Sequence, residues 1–123
     1  MAYILVVDDD YEIRLGISRL LKIAGHEVRE ALDGQEGIDL YRERPADLIV
    51  LDIILPRKNG LEVIQELQAD YPDVKILTIS GADQVGQVNL LPDSIRLGAL
   101  RAIPKPFDPK YLLEVVTHLL DND

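Results

Sequence analysis

The sequence predicts an α/β domain built on a single five-stranded parallel sheet, with helices on both faces. Two regularities carry this. Short apolar runs rich in β-branched residues alternate five times with segments whose apolar residues recur at helical spacing. Polar residues able to do chemistry also stand at the C-terminal ends of those runs. Asp8 and Asp9 follow Ile4-Leu5-Val6-Val7, and Asp52 follows Leu48-Ile49-Val50-Leu51. Ser80 follows Ile76-Leu77-Thr78-Ile79, and Lys105 follows Ala102-Ile103-Pro104. Ligands of open parallel sheets bind beyond the carboxyl ends of the strands, so one edge would gather acids, a hydroxyl and an amine.

The elements follow in order. Tyr3–Val7 is continuously apolar, as a strand covered on both faces must be. Ile13, Ile17, Leu20, Leu21 and Ala24 form a helical stripe, with Asp10 as N-cap and Gly25 as stop. Glu27–Ala31 is a shorter, more polar strand. Asp33 and Glu36 have capping-box spacing and open a helix that turns Ile38 and Tyr41 inward and ends before Pro45. Asp47–Leu51 is the third strand, and Pro56 to Gly60 a loop. A helix from Leu61 to Asp70 presents Leu61, Ile64 and Leu67, and Pro72-Asp73 turns into the fourth strand, Val74–Ile79. Ser80 to Leu91 reads as loop, Pro92–Leu97 as a short helix ended by Gly98, and Leu100–Ile103 as the fifth strand. Asp108 caps a last helix with Leu112, Val115, Val116 and Leu119 inward.

At 123 residues, 47% hydrophobic and 28% charged, the whole chain from 1 to 123 reads as one globular domain. There is no cysteine, hence no disulfide framework and no thiolate chemistry. No apolar run approaches the ~20 residues of a membrane span. The start, Met1-Ala2-Tyr3-Ile4, lacks the basic region of a signal peptide, so the cytoplasm is the expected location. A net charge of −9 argues against general affinity for nucleic acids.

Crowding dictates the chemistry of the edge. Asp8, Asp9 and Asp52 come close if the first and third strands are neighbours, and three carboxylates repel unless a cation compensates. An all-oxygen site suits Mg²⁺ and disfavours zinc or copper. His26 and His118 are expected elsewhere, as solvated surface residues. Asp52 stands alone after its strand, followed by Ile53-Ile54-Leu55-Pro56, and a carboxylate so placed can act as a nucleophile toward phosphorus. Lys105 and Ser80 can then contact phosphoryl oxygens. Gly60 reads as a backbone requirement beside Asn59, the cap of the third helix.

Val6-Val7-Asp8-Asp9-Asp10, Asp47-Leu48-Ile49-Val50-Leu51-Asp52 with Pro56 and Gly60, Ile79-Ser80-Gly81 and Lys105-Pro106-Phe107 together resemble the receiver domains of two-component response regulators, from about Tyr3 to Leu120. The resemblance implies a flavodoxin-like sheet in the order 2-1-3-4-5 and a cis Lys105-Pro106 bond. It implies that Asp52 accepts a phosphoryl group from a phosphohistidine on a sensor histidine kinase or histidine phosphotransfer protein, and that the domain then switches a downstream partner. Asp8, Asp9, Asp52 and the backbone carbonyl of Ile54 would hold Mg²⁺ or Mn²⁺. Ser80 would move toward the phosphoryl group and Lys105 would contact it. Such a domain is no enzyme in the usual sense, because it catalyses only its own phosphorylation and dephosphorylation. A stand-alone receiver is expected, since little follows the last helix, and dimerisation through the last helices is compatible with this reading.

The chain departs from the family pattern in places. Many receivers carry an aromatic residue three positions before the lysine, where this chain has Ala102, so signalling is expected to run through the Ser80–Gly86 loop and the fourth helix. The stretch from Ser80 to Gly98 looks longer than in compact receivers. The residues two after Asp52 and two after Ser80 are Ile54 and Ala82, neither able to orient an attacking water, so a long-lived phosphoryl group is expected. Three rival classes fit less well. A phosphohydrolase with an aspartate nucleophile would place a second acid where Ile54 stands. A flavin binder needs a glycine-rich phosphate loop where this chain has three acids. A pseudo-receiver acting only as an interaction module would normally have lost part of the site.

Overall fold

In the computed structural model, which describes residues 1–81 and 91–121, ten elements alternate along the chain. They are β1 (Tyr3–Val7), α1 (Tyr11–Ile23), β2 (Glu27–Ala31), α2 (Gly34–Glu43), β3 (Leu48–Asp52), α3 (Gly60–Asp70), β4 (Ile76–Ser80), α4 (Leu91–Leu97), β5 (Arg101–Pro104) and α5 (Pro109–Asp121). The five strands pair in parallel in the order β2-β1-β3-β4-β5.

Burial explains which strands are continuous in sequence. Every residue of β1, β3 and β4 is buried, as expected for central strands with helices above and below. The edge strand β2 is mostly exposed or half-buried, and its sequence is correspondingly polar.

Strand alternation divides the apolar residues between two layers. Ile4, Val6, Leu48, Val50, Leu77, Ile79 and Ile103 pack against Ile17 and Leu21 of α1 and Leu112, Val115, Val116 and Leu119 of α5. Leu5, Val7, Ile49, Leu51 and Ile76 pack against Ile38 and Tyr41 of α2 and Val63, Ile64 and Leu67 of α3. Fully burying one such aliphatic side chain stabilises the fold by about 1.5–3 kcal/mol, so the two layers dominate its stability.

Local signals act where the sequence places them. The Asp10 side chain accepts from Ile13 N at 3.1 Å and starts α1. Gly25, at φ 98°, ends it while His26 N bonds back to Leu21 O. Asn59 and Glu62 form a complete capping box at α3. At α2 only half of the expected box forms: Asp33 accepts from Glu36 N, but Glu36 Oε1 accepts from Leu32 N rather than from the cap itself. The Lys105-Pro106 bond is cis.

Several boundaries shift from the sequence reading. The third and fourth strands run Leu48–Asp52 and Ile76–Ser80, so Asp52 and Ser80 end strands instead of following them. The parallel ladder continues through both residues, pairing Asp52 with Ile79 and Ser80 with Pro104. Asp47 falls outside β3, where its carboxylate accepts from Tyr3 N at 2.8 Å. The fifth strand runs Arg101–Pro104, and Leu100 precedes it. His26 is half-buried rather than solvated, its Nδ1 accepting from Ala2 N at 3.1 Å. Ala24 is exposed, and the buried stripe of α1 includes Arg14 and Ser18. The loop expected around Ala82 and Gly86 lies outside the described residues.

Gly60 meets a requirement of close approach. A Cβ there would stand 2.6 Å from Ile53 Cα and 2.7 Å from Asp52 O, and Gly60 N donates to Ile53 O at 2.7 Å. Gly60→Ala should therefore displace the segment after β3 and destabilise the domain by about 1–3 kcal/mol. Denaturant unfolding reads this directly, and an unchanged midpoint would contradict the close packing.

Candidate functional site

The strand ends build the site. Asp8, just past β1, continues the alternation of Ile4 and Val6, and Asp52 continues that of Leu48 and Val50. Lys105 follows Ile103 in the same way. Three sequence-distant groups therefore emerge on the α1/α5 side of the sheet. Ser80 shares its alternation with Ile76 and Thr78, on the side that carries α4, where Thr78 Oγ1 and Ser94 Oγ lie 2.8 Å apart.

The side chains meet as this placement requires. Carboxylate oxygens of Asp8, Asp9 and Asp52 all lie within 4.8 Å of one another. Lys105 Nζ donates to Asp8 Oδ2 at 3.1 Å and to Asp52 Oδ2 at 3.2 Å. Asp8 is fully buried and Asp52 nearly so, while Asp9 is exposed. Asp10 N donates to Asp8 Oδ1 at 2.9 Å, and Ile54 N to Asp52 Oδ1 at 3.3 Å. Lys105 N donates to Ser80 O at 2.8 Å, which ties the ends of β4 and β5 together. Ser80 Oγ is buried and has no hydrogen-bond partner among the described residues. A buried hydroxyl left unpaired is costly unless a ligand or a movement satisfies it.

The charges do not balance. Three carboxylates and one ammonium leave a deficit of two positive charges when all are ionised. Burial, then the charge of Asp8, push the Asp52 carboxyl up to about 7 against the pull of Lys105. Burial also opposes the charge on Lys105, but Asp52 and Asp8 outweigh it and leave the amine raised. The donor set is all oxygen, shared between buried and exposed carboxylates, and it fits a hard divalent cation. His118 is exposed on α5, and His26 lies by Ala2 before the start of β1 and β2.

The sequence reading missed Arg14 and Glu30. Arg14 is buried on α1 and donates to the Asp8 backbone oxygen at 2.9 Å and to Glu30 Oε1 at 2.8 Å. The available signal was a charged residue in step with the apolar stripe of Ile17 and Leu21.

The strand order and the acidic carboxyl edge define the class: a doubly wound α/β domain of receiver type. The chain belongs to the response regulator receiver domain family, whose profile matches residues 4–117. It is 33% identical over 114 residues to the chemotaxis protein CheY of Thermotoga maritima, covering 92% of each chain. It is 38% identical over 117 residues to the response regulator MprA of Mycolicibacterium vanbaalenii, covering 95% of this chain but 49% of that one. Among solved structures, the receiver domain of NtrX from Brucella abortus superposes with a TM-score of 0.89 at 33% identity, covering 98% of this chain and 99% of that one. No helix among the described residues is long and apolar enough to cross a membrane.

The raised Asp52 carboxyl links the site to stability. Its folded value of about 7 exceeds its ordinary value of 3.8, so the fold binds this proton more tightly than the unfolded chain does. That contribution is complete below the ordinary value and is lost as pH rises through the folded one. Asp52→Asn should therefore raise the Tm at pH 8, without divalent cations, by at least about 3 °C, with the gap closing toward pH 4. Thermal unfolding across that range checks it; a gap that widens on acidification would refute the assignment.

Proposed function

We propose that Asp52 is the phosphoryl acceptor of a two-component phosphorelay, charged by a phosphohistidine on a sensor histidine kinase or histidine phosphotransfer protein. The observation that carries this reading is the Asp52 carboxylate, which lies within 4.8 Å of two further acids and accepts from Lys105. An Asp52 oxygen bonds to phosphorus as the phosphorus–imidazole bond breaks, and the imidazole nitrogen keeps the electron pair and takes up a proton. Asp8, Asp9, Asp52 and the Ile54 backbone carbonyl would hold Mg²⁺ or Mn²⁺. When bound, the cation supplies positive charge that offsets the carboxylates and the charge developing on the phosphoryl oxygens.

Lys105 already bridges two of the acids and moves to a phosphoryl oxygen when the group arrives. Ser80 provides a buried hydroxyl that lacks a partner among the described residues. Because Ser80 lies on the α4 side of the sheet, its movement passes the phosphorylation state toward α4 and a downstream protein. Ala102, paired with Thr78 in β5, has no ring to take part. Residues 1–123 act here as one receiver unit, working in the cytoplasm. The chain spans about half the length of relatives such as MprA, so any output of a larger protein is a separate question.

Acetyl phosphate with Mg²⁺ should add one phosphoryl mass to the chain and none to Asp52→Asn, as read by intact mass measurement. Chelating the cation should abolish the adduct. Addition to both proteins, or to neither, would defeat the assignment. The side chain of Ile54 beside the acceptor cannot orient a water, so the adduct should persist for minutes or longer without a phosphatase. Loss within a minute at neutral pH would count against that expectation.

A further inference from the structure

Arg14 occupies a position that the helical pattern reserves for an apolar residue. It shares the buried face of α1 with Ile17, Ser18 and Leu21 and is 8% exposed. The charged residues counted as buried among the described ones are Asp8, Asp52 and Arg14. The first two belong to the site, and the third touches it. A buried guanidinium is tolerated only when its donors are satisfied, and the partners of Arg14 are specific. Nε donates to Glu30 Oε1 at 2.8 Å, and Nη1 donates to the backbone oxygen of Asp8 at 2.9 Å. The Tyr11 ring lies 5.6 Å from the guanidinium carbon and covers it.

These contacts complete the hold on Asp8. Its N–H donates to Ala31 O at 3.2 Å, and one carboxylate oxygen accepts from Asp10 N. The other carboxylate oxygen accepts from Lys105. The carbonyl is held by Arg14, which is itself anchored to β2 through Glu30, opposite Val6 in the β1–β2 register. The turn that carries Asp8 and Asp9 is thus fixed to α1 on one side and to β2 on the other.

We infer that Arg14, oriented by Glu30, is a positioning residue for the divalent cation: it clamps the Asp8 backbone so that Asp8 and Asp9 keep their carboxylates aimed at the Asp52 site. The inference rests on the metal reading given under the proposed function. Its sign is diagnostic. If Arg14 acted on the site only through its charge, removing it would strengthen Mg²⁺ binding, because a nearby positive charge repels the cation. If it positions the ligands, removing it weakens binding, by about tenfold as is usual for groups that orient metal ligands.

The test measures Mg²⁺ affinity by calorimetric titration of the full chain and of Arg14→Met and Arg14→Lys, each well below its melting temperature. Arg14→Met should bind about tenfold more weakly. Arg14→Lys keeps the charge but loses the planar fork that serves Glu30 and Asp8 together, so it should also weaken binding. Without metal, the Asp8 and Asp10 amides should exchange faster in both variants than in the parent chain. Should Arg14→Met fail to fold, Arg14→Lys with the exchange measurement decides the matter. Parent-like or tighter Mg²⁺ binding in the variants, whatever their melting temperatures, would overturn the clamp and leave the metal reading standing. Absence of Mg²⁺ binding by the parent chain would overturn the metal reading itself, and the clamp with it.

Discussion

The parallel pairing of β1 with β3 brings Asp8 and Asp52 to the same edge and the same side of the sheet, in a largely dry environment. Most features of the carboxyl end answer the repulsion that follows. Lys105 reaches in from β5 to bridge the two acids, and the amides of Asp10 and Ile54 donate to them. The pressure is still not relieved, since the Asp52 carboxyl sits far above its ordinary range. Such a site gains most from a ligand that brings positive charge, and a chemical event at Asp52 alters the balance directly.

The fold can carry this strain because its stability comes from elsewhere. Two apolar layers, one on each face of the sheet, bury nearly all the aliphatic residues of β1, β3 and β4 without using a polar group of the site. The polar edge is therefore free to be poorly compensated. The two sides of the sheet also divide the work. The α1/α5 side bears the acids and the lysine, and the α4 side bears Ser80 and the buried Thr78–Ser94 hydroxyl pair. The polar groups at this edge thus lie on both faces of the sheet.

Periodicity made much of this legible. The continuous apolar strands, the caps at Asp10 and Asn59 and the inward residues of α5 all lie where the pattern places them. The misses share a cause. Strand ends at Asp52 and Ser80 depend on whether a neighbouring strand continues the ladder, which composition does not encode. Arg14 falls in step with the apolar stripe of α1, but spacing along the helix cannot name its partners, the Asp8 carbonyl and an acid on β2. His26 likewise finds Ala2 only because β1 and β2 are adjacent.

By itself, the sequence determined the alternation of elements, the two-faced burial of the central strands and which polar residues lie at strand ends, since each follows from spacing along one chain. Tertiary structure alone decided which of those residues touch. Contacts between Asp8, Asp52 and Lys105 depend on strand order and on the alternation of three strands at once, and the hold of Arg14 on Asp8 depends on where α1 lies against β2. Local pattern cannot express such contacts, because their geometry is set by residues up to 97 positions apart.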